Sequence, residues 1–173
     1  MKMNPKSFQR PFQIGFEFEK RYHGCAQSTI AALYEVFADL KNEDVFRAAS
    51  GLGAGVGLSS QGHCGALSGT VMVLSQLFGR ELQFIEDPAK KRLYAFRLGE
   101  EMVQFFMTEF GTIICNEIHL KLMGRRFDLW NAEEKKAFEE MGAHRTHCSS
   151  VVGKAVKKAS QMIERELRKN SVS

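Results

Sequence analysis

The stretch that decides the fold runs from Ala48 to Arg80, AASGLGAGVGLSSQGHCGALSGTVMVLSQLFGR. Charged residues make up 25% of the chain, yet nothing between Arg47 and Arg80 carries a formal charge. So long an uncharged segment is expected to be buried. In its first half glycine alternates with small or apolar residues at Gly51, Gly53, Gly55 and Gly57, which opens backbone conformations closed to residues with a Cβ and allows close approach. The second half, Ala66 to Phe78, is an apolar run of 13 residues counted inclusively. It is shorter than the roughly 20 residues a membrane-spanning helix needs, so it reads as a buried helix. Between the halves sits Cys64, within Gly62-His63-Cys64-Gly65-Ala66-Leu67-Ser68-Gly69.

Outward from this segment the helical period dominates. Ala26, Ile30, Leu33 and Phe37 recur at steps of four, three and four and define one helix face just after Cys25. A short helix is expected around Glu43 to Ala49. A longer one runs from Ala89 to about Phe110, with Leu98, Met102, Phe105 and Phe106 inward. Cys115 to Met123 is a short apolar segment closed by Gly124. Asn131, three residues before Glu134, resembles a capping box for Ala132 to Met141. Cys148-Ser149-Ser150 opens a last helix with the stripe Val152, Ala155, Val156, Ala159, Met162 and Ile163. No strand alternation and no repeat is evident. The expectation is an all-α protein, a single bundle of six or seven helices. Residues 1–20, with Pro5, Pro11 and a short amphipathic patch from Ile14 to Phe18, are expected to form an arm on the domain 21–173.

A chain of 173 residues with 44% apolar content can bury a substantial core and lies far from disordered compositions. Its net charge of +4 comes from the tail: from Val151 to Ser173 six basic residues (Lys154, Lys157, Lys158, Arg165, Arg168, Lys169) stand against two acidic ones (Glu164, Glu166), a surplus of +4. A solvated helix face accounts for this better than a docking surface for nucleic acid or an acidic partner. The first twelve residues have no apolar core of a secretory signal, so a cytoplasmic protein without membrane attachment is expected.

The chemistry is expected at the thiols. Cys25, Cys64, Cys115 and Cys148 are separated by 39, 51 and 33 residues, which argues against zinc modules built from local Cys pairs. Each falls at or just before an expected helix start, where unpaired N–H groups and the helix dipole favour an anion. A thiol so placed is expected to ionise more readily. The plainer account is that each is a small buried hydrophobe. His63 adjoins Cys64, His23 lies two before Cys25, and His144 and His147 precede Cys148; each could ligate a metal or hydrogen-bond a thiolate, though exposed connections explain them too. No Gly-Lys-Ser/Thr follows the glycine stretch and no strand precedes it, so phosphate-loop and dinucleotide readings are rejected.

These residues carry a resemblance. Cys64-Gly65-Ala66-Leu67-Ser68-Gly69 matches the Cys-Gly-Ala-x-x-Gly motif of the C_GCAxxG_C_C family of redox-active proteins. Cys25-Ala26-Gln27 resembles that family's first cysteine site, Ser50 to Gly57 its lead-in, and Phe110-Gly111-Thr112 through Cys115-Asn116-Glu117 its third, with Cys148 where the fourth is expected. A more distant similarity to the cysteine-bearing domain of split-Soret cytochromes suggests an iron-sulfur site. Covalent haem is not expected, because the chain has no Cys-x-x-Cys-His.

The expectation is therefore that Cys25, Cys64, Cys115 and Cys148 converge on one redox-active site and ligate an iron-sulfur cluster. Backbone groups of Gly62, Gly65 and Gly69 would lie at the cofactor. An unidentified electron-transfer protein is the expected partner, and whether a substrate is turned over stays open. Two alternatives remain at this point: a metal-free thiol/disulfide protein, and a zinc-held helical binding module. The small-residue face at Gly65 and Gly69 also leaves a homodimer open.

Overall fold

A computed structural model describes residues 11–171, and over these the chain is helical. The helices are α1 (Pro11–Tyr22), α2 (Cys25–Val36), α3 (Glu43–Ala48), α4 (Gly65–Phe78), α5 (Lys91–Phe110), α6 (Cys115–Met123), α7 (Ala132–Glu140) and α8 (Cys148–Ser171). Among the described residues no strand forms, and the β-type pairing is a single antiparallel bridge between His63 and Ile114. No helix is long and apolar enough to cross a membrane.

The all-α expectation holds, but among the described residues there are eight α-helices where six or seven were expected. The extra one is α1. Its sequence reads as an arm because Pro5 and Pro11 precede only a short amphipathic patch, Ile14 to Phe18, yet Gly15 within that patch is what lets the helix dock. A Cβ there would lie 2.8 Å from Val156 Cγ2 and 3.1 Å from Gly153 Cα, and one at Gly153 would lie 2.8 Å from the Phe12 carbonyl oxygen. The two glycines form a close crossing of α1 on α8. Of the arm expected over 1–20, residues 1–10 lie outside the described residues.

Helix α8 is the axis of the core, packing against α1, α2 and α4, while α4 also contacts α2 and α5. Its expected stripe is wholly interior: Val152, Ala155, Val156, Ala159, Met162 and Ile163 are all buried. Burying one such aliphatic side chain contributes roughly 1.5–3 kcal/mol. The basic surplus sits on the opposite face and is largely paired in cis with α5. Lys154 reaches Glu109 at 2.7 Å, Lys158 reaches Glu101 at 2.7 Å, and Arg165 holds the Glu101 carboxylate with both terminal nitrogens at 3.0 and 2.7 Å. Arg165 and Lys158 hold the Glu101 carboxyl down at about 2.

Candidate functional site

Three local devices carry the cysteines toward one place. The first is the packing of α4 on α2 through Gly65 and Gly69. A Cβ at Gly65 would lie 2.4 Å from Cys25 Sγ, and one at Gly69 would lie 2.5 Å from the Ala26 carbonyl oxygen. Only glycine permits α4 to begin on top of the Cys25 thiol. The neighbouring backbone expected at this face is therefore α2 of the same chain, which leaves no room there for a second copy.

The second device is the bridge. The Cys64 N–H donates to the Ile113 carbonyl (2.8 Å), the Cys115 N–H to the Gly62 carbonyl (3.0 Å) and the Asn116 N–H to the Ser60 carbonyl (3.0 Å). Two cysteines 51 residues apart are thus held in fixed register, one on each side of the His63–Ile114 bridge. The third is His119, one turn after Cys115 on α6. Its Nε2 lies 3.5 Å from Cys115 Sγ and 4.0 Å from Cys148 Sγ. All four cysteines line one cavity of about 170 Å³, together with Glu19, His23, His119, Glu139 and His144 among others.

The glycine-rich loop closes one side of this cavity with an unusual backbone. Ala54, Gly55, Val56, Gly57 and Leu58 all have positive φ (46, 73, 67, 61 and 59°), and Ser60 follows at 57°. Glycine was expected to supply such conformations, yet four of these six residues have a Cβ. A non-glycine residue in this region costs roughly 1–2 kcal/mol. What holds the run is its own hydrogen bonds, Gly57 N–H to Gly51 O (2.8 Å), Ser60 N–H to Ala54 O (2.9 Å) and Gly62 N–H to Gly55 O (2.9 Å), and a latch from outside, the Trp130 indole N–H to Gly57 O (2.9 Å). The result brings the Ala54 N–H to 3.4 Å from Cys25 Sγ.

The helix starts stand where the sequence put them: Cys25, Cys115 and Cys148 are first residues of α2, α6 and α8, and Cys64 is the N-cap of α4. The expectation of readily ionised thiols, however, is corrected. A hydrogen bond with the Cys64 thiol, and then burial, push the Cys25 thiol up; burial does the same to Cys115 and Cys148, reinforced by the nearby Cys25 and Glu19. Desolvation of the anion in an apolar cavity outweighs the helix ends. For Cys148 the end is not free in any case. A π-helical turn, Ala143–His147, runs directly into α8. All four cysteines are free thiols.

The other buried ionisable groups are equally displaced. Glu19, 1% exposed, has its carboxyl raised to about 7, chiefly by burial, and its Oε2 has no partner. Burial lowers His119 to about 4, so the ring is neutral, and its Nδ1 is also without a partner. His144 is lowered by burial against the raising effect of Glu139.

Glu19 and His119 were not anticipated, although His119 stands at the i,i+4 position from Cys115, the spacing that places two side chains on one helix face. Of the histidines singled out in the sequence, His23 and His144 line the cavity with their rings stacked, centroids 3.9 Å apart and planes 13° from parallel. His63 and His147 do not line it; His63 Nδ1 lies 3.3 Å from Ser68 Oγ. Gly62, Gly65 and Gly69 also lie outside the lining, Gly62 against the Gly55 carbonyl and the other two in the α2–α4 contact. Among the described residues, the group of three or more potential ligand atoms lying within 4.8 Å of one another is His23, Glu139 and His144; no three cysteine sulfurs meet that condition.

Comparison with known proteins adds one finding. The sequence profile of the family described as "Putative redox-active protein (C_GCAxxG_C_C)" matches residues 23–162, a span that contains every cysteine. No curated protein and no solved structure gives a significant match.

Proposed function

The chain belongs to the C_GCAxxG_C_C family of redox-active proteins, and we propose that Cys25, Cys64, Cys115 and Cys148 together hold an iron-sulfur cluster that exchanges electrons with a partner protein. The observation that carries this reading is the single cavity of about 170 Å³ that all four cysteines line. The donor set fits, since four thiolates are the ligands of two-iron and four-iron clusters alike. A single zinc ion would need the sulfurs to close in. At a Zn–S distance of about 2.3 Å a tetrahedral ion draws its sulfurs to about 3.8 Å, whereas no three of these sulfurs lie within 4.8 Å of one another. A cluster interposes iron and sulfide between its ligands and takes wider spacing.

When bound, the cluster supplies one-electron chemistry. The protein's part is to orient four sulfurs on four helix starts, exclude water with an apolar lining, and aim the Ala54 N–H at Cys25 Sγ, a hydrogen bond that tunes the sulfur's electron density. Because the neutral thiol is favoured at Cys25, Cys115 and Cys148, loading must expel those protons, which makes metal uptake steeply pH-dependent. Anaerobic purification with iron and sulfide analysis, visible absorption and electron paramagnetic resonance tests the reading. Bound iron and sulfide that fall on Cys64→Ser are expected; colourless, iron-free protein that resists reconstitution refutes it.

One observation favours a second reading, a dithiol at Cys25 and Cys64: Gly65, the residue after Cys64, starts α4 directly against the Cys25 thiol, where a Cβ would lie 2.4 Å from Sγ. Oxidation would join their sulfurs and release two protons and two electrons. Thiol counting before and after mild oxidation of metal-free protein separates the two, because this reading loses two thiols and leaves Cys115 and Cys148 titratable.

A further inference from the structure

At one end of the cavity lies a second set of donors whose chemistry differs from that of the thiols. His144 Nδ1 is 2.6 Å from Glu139 Oε1, and one ligand atom from each of the three falls within 4.8 Å of the others; the exposed His23 ring, now stacked on His144, has to turn out of the stack to share an ion with it. The three come from different parts of the chain: the link between α1 and α2, the end of α7, and the π-helical turn before α8. A π-helical turn inserted ahead of a long helix is a frequent mark of a functional position.

Behind them stands Glu19. Its Oε1 lies 3.6 Å from His144 Nε2, on the side of the ring away from Glu139, and its Oε2 has no partner although the residue is 1% exposed. A buried carboxylate left in that state is costly unless a positive charge comes near. A histidine that binds a metal through one nitrogen ordinarily donates its other N–H to a carboxylate, which fixes the ring and raises its basicity. Glu19 occupies that carboxylate's place. A cation on His144 Nδ1 would leave Nε2 carrying the proton that faces Glu19.

We propose that His23, Glu139 and His144 bind a divalent first-row transition-metal ion, with Glu19 as the buried carboxylate orienting His144, at a site separate from the four thiols. Two imidazoles and one carboxylate suit zinc, iron(II) or cobalt(II) and leave coordination positions open. The three residues line the same cavity as the cysteines, so a ligand held by the ion there would share that space with the thiols. The site does not depend on whether the thiols hold a cluster.

Cobalt(II) titration of metal-free, reduced, full-length protein tests this. Equilibrium dialysis counts the bound ions, and sulfur-to-cobalt charge transfer in the near ultraviolet reports thiolate ligation alone. Glu139→Gln, a change at a half-buried position, and His144→Ala are each expected to remove one cobalt per chain that contributes no sulfur-to-cobalt charge transfer. Glu19→Gln is expected to keep the ion but weaken it by about 10-fold or more. Cobalt stoichiometry unchanged by Glu139→Gln and His144→Ala overturns the proposal, and so does loss of the charge-transfer band along with the ion. Circular dichroism confirms that each variant is folded, and Glu139→Gln serves as the deciding variant should His144→Ala unfold.

Discussion

Glu19→Gln converts a buried, displaced carboxyl into a neutral isostere, and its effect can be worked out in advance. The Glu19 carboxyl titrates at about 7 in the folded chain, against 4.5 for the ordinary group. Between those values the folded state holds a proton that the unfolded state has released, so stability falls as pH rises through that window. A difference of about 2.5 units at 1.36 kcal/mol each is on the order of 3 kcal/mol, fully present as stability below pH 4.5 and lost once pH exceeds 7. The amide that replaces the carboxyl cannot ionise, so the variant escapes the loss. The measurement is a set of urea and thermal melts of both proteins from about pH 4.5 to 8.5, with reductant and chelator present. His144 lies 3.6 Å away and titrates in both proteins, so the difference between the curves is read. Near pH 4.5 the two are expected to differ only by the fixed effect of the amide. By about pH 8 the variant should gain on the order of 3 kcal/mol, which for a chain of this size is about 6–12 °C in melting temperature. A difference that stays flat across the range, or that grows in favour of the wild type, refutes the reasoning.

Gly65→Ala would place a methyl group 2.4 Å from Cys25 Sγ and 2.9 Å from the Ala26 nitrogen. The sulfur can swing away but the backbone cannot, so a loss of about 1–3 kcal/mol is expected in urea unfolding, together with a changed rate of Cys25 alkylation. Val56→Gly relieves a β-branched residue at φ 67°. After the added freedom of the unfolded chain is subtracted, a gain of up to about 1 kcal/mol is expected, checked by melting temperature, with no gain for Val56→Ile. His119→Leu removes a buried nitrogen that has no partner. The metal-free protein is expected to hold or gain about 1 kcal/mol in the same melts, while reconstituted protein shows a shifted reduction potential because the group beside Cys115 and Cys148 is gone.

What could be read from the sequence was whatever a local period or a local cap determines. The stripe Val152 to Ile163 and the four cysteine helix starts depend on neighbours a few residues away, and both stand as expected. Helix α1 was missed because the reason for Gly15 lies at Gly153 and Val156, more than a hundred residues on. The positive φ of Ala54, Val56 and Leu58 is imposed by backbone hydrogen bonds between residues six or seven apart and by Trp130, against the preference of those side chains. Thiol ionisation was misjudged because a helix start is visible in sequence and the dryness of its surroundings is not. His119 was within reach, at four residues from Cys115.

The His63–Ile114 bridge has a mechanical consequence. Because the strands of backbone leading into Cys64 and Cys115 are tied by reciprocal amide links, those two walls of the chamber must travel as one rigid piece. If the proposed electron exchange swells or tightens the chamber, the change is therefore left to the Cys25 and Cys148 sides. Deuterium uptake should change with redox state along the first turn of α2 and the π-helical turn, and stay constant at the amides of Cys64 and Cys115.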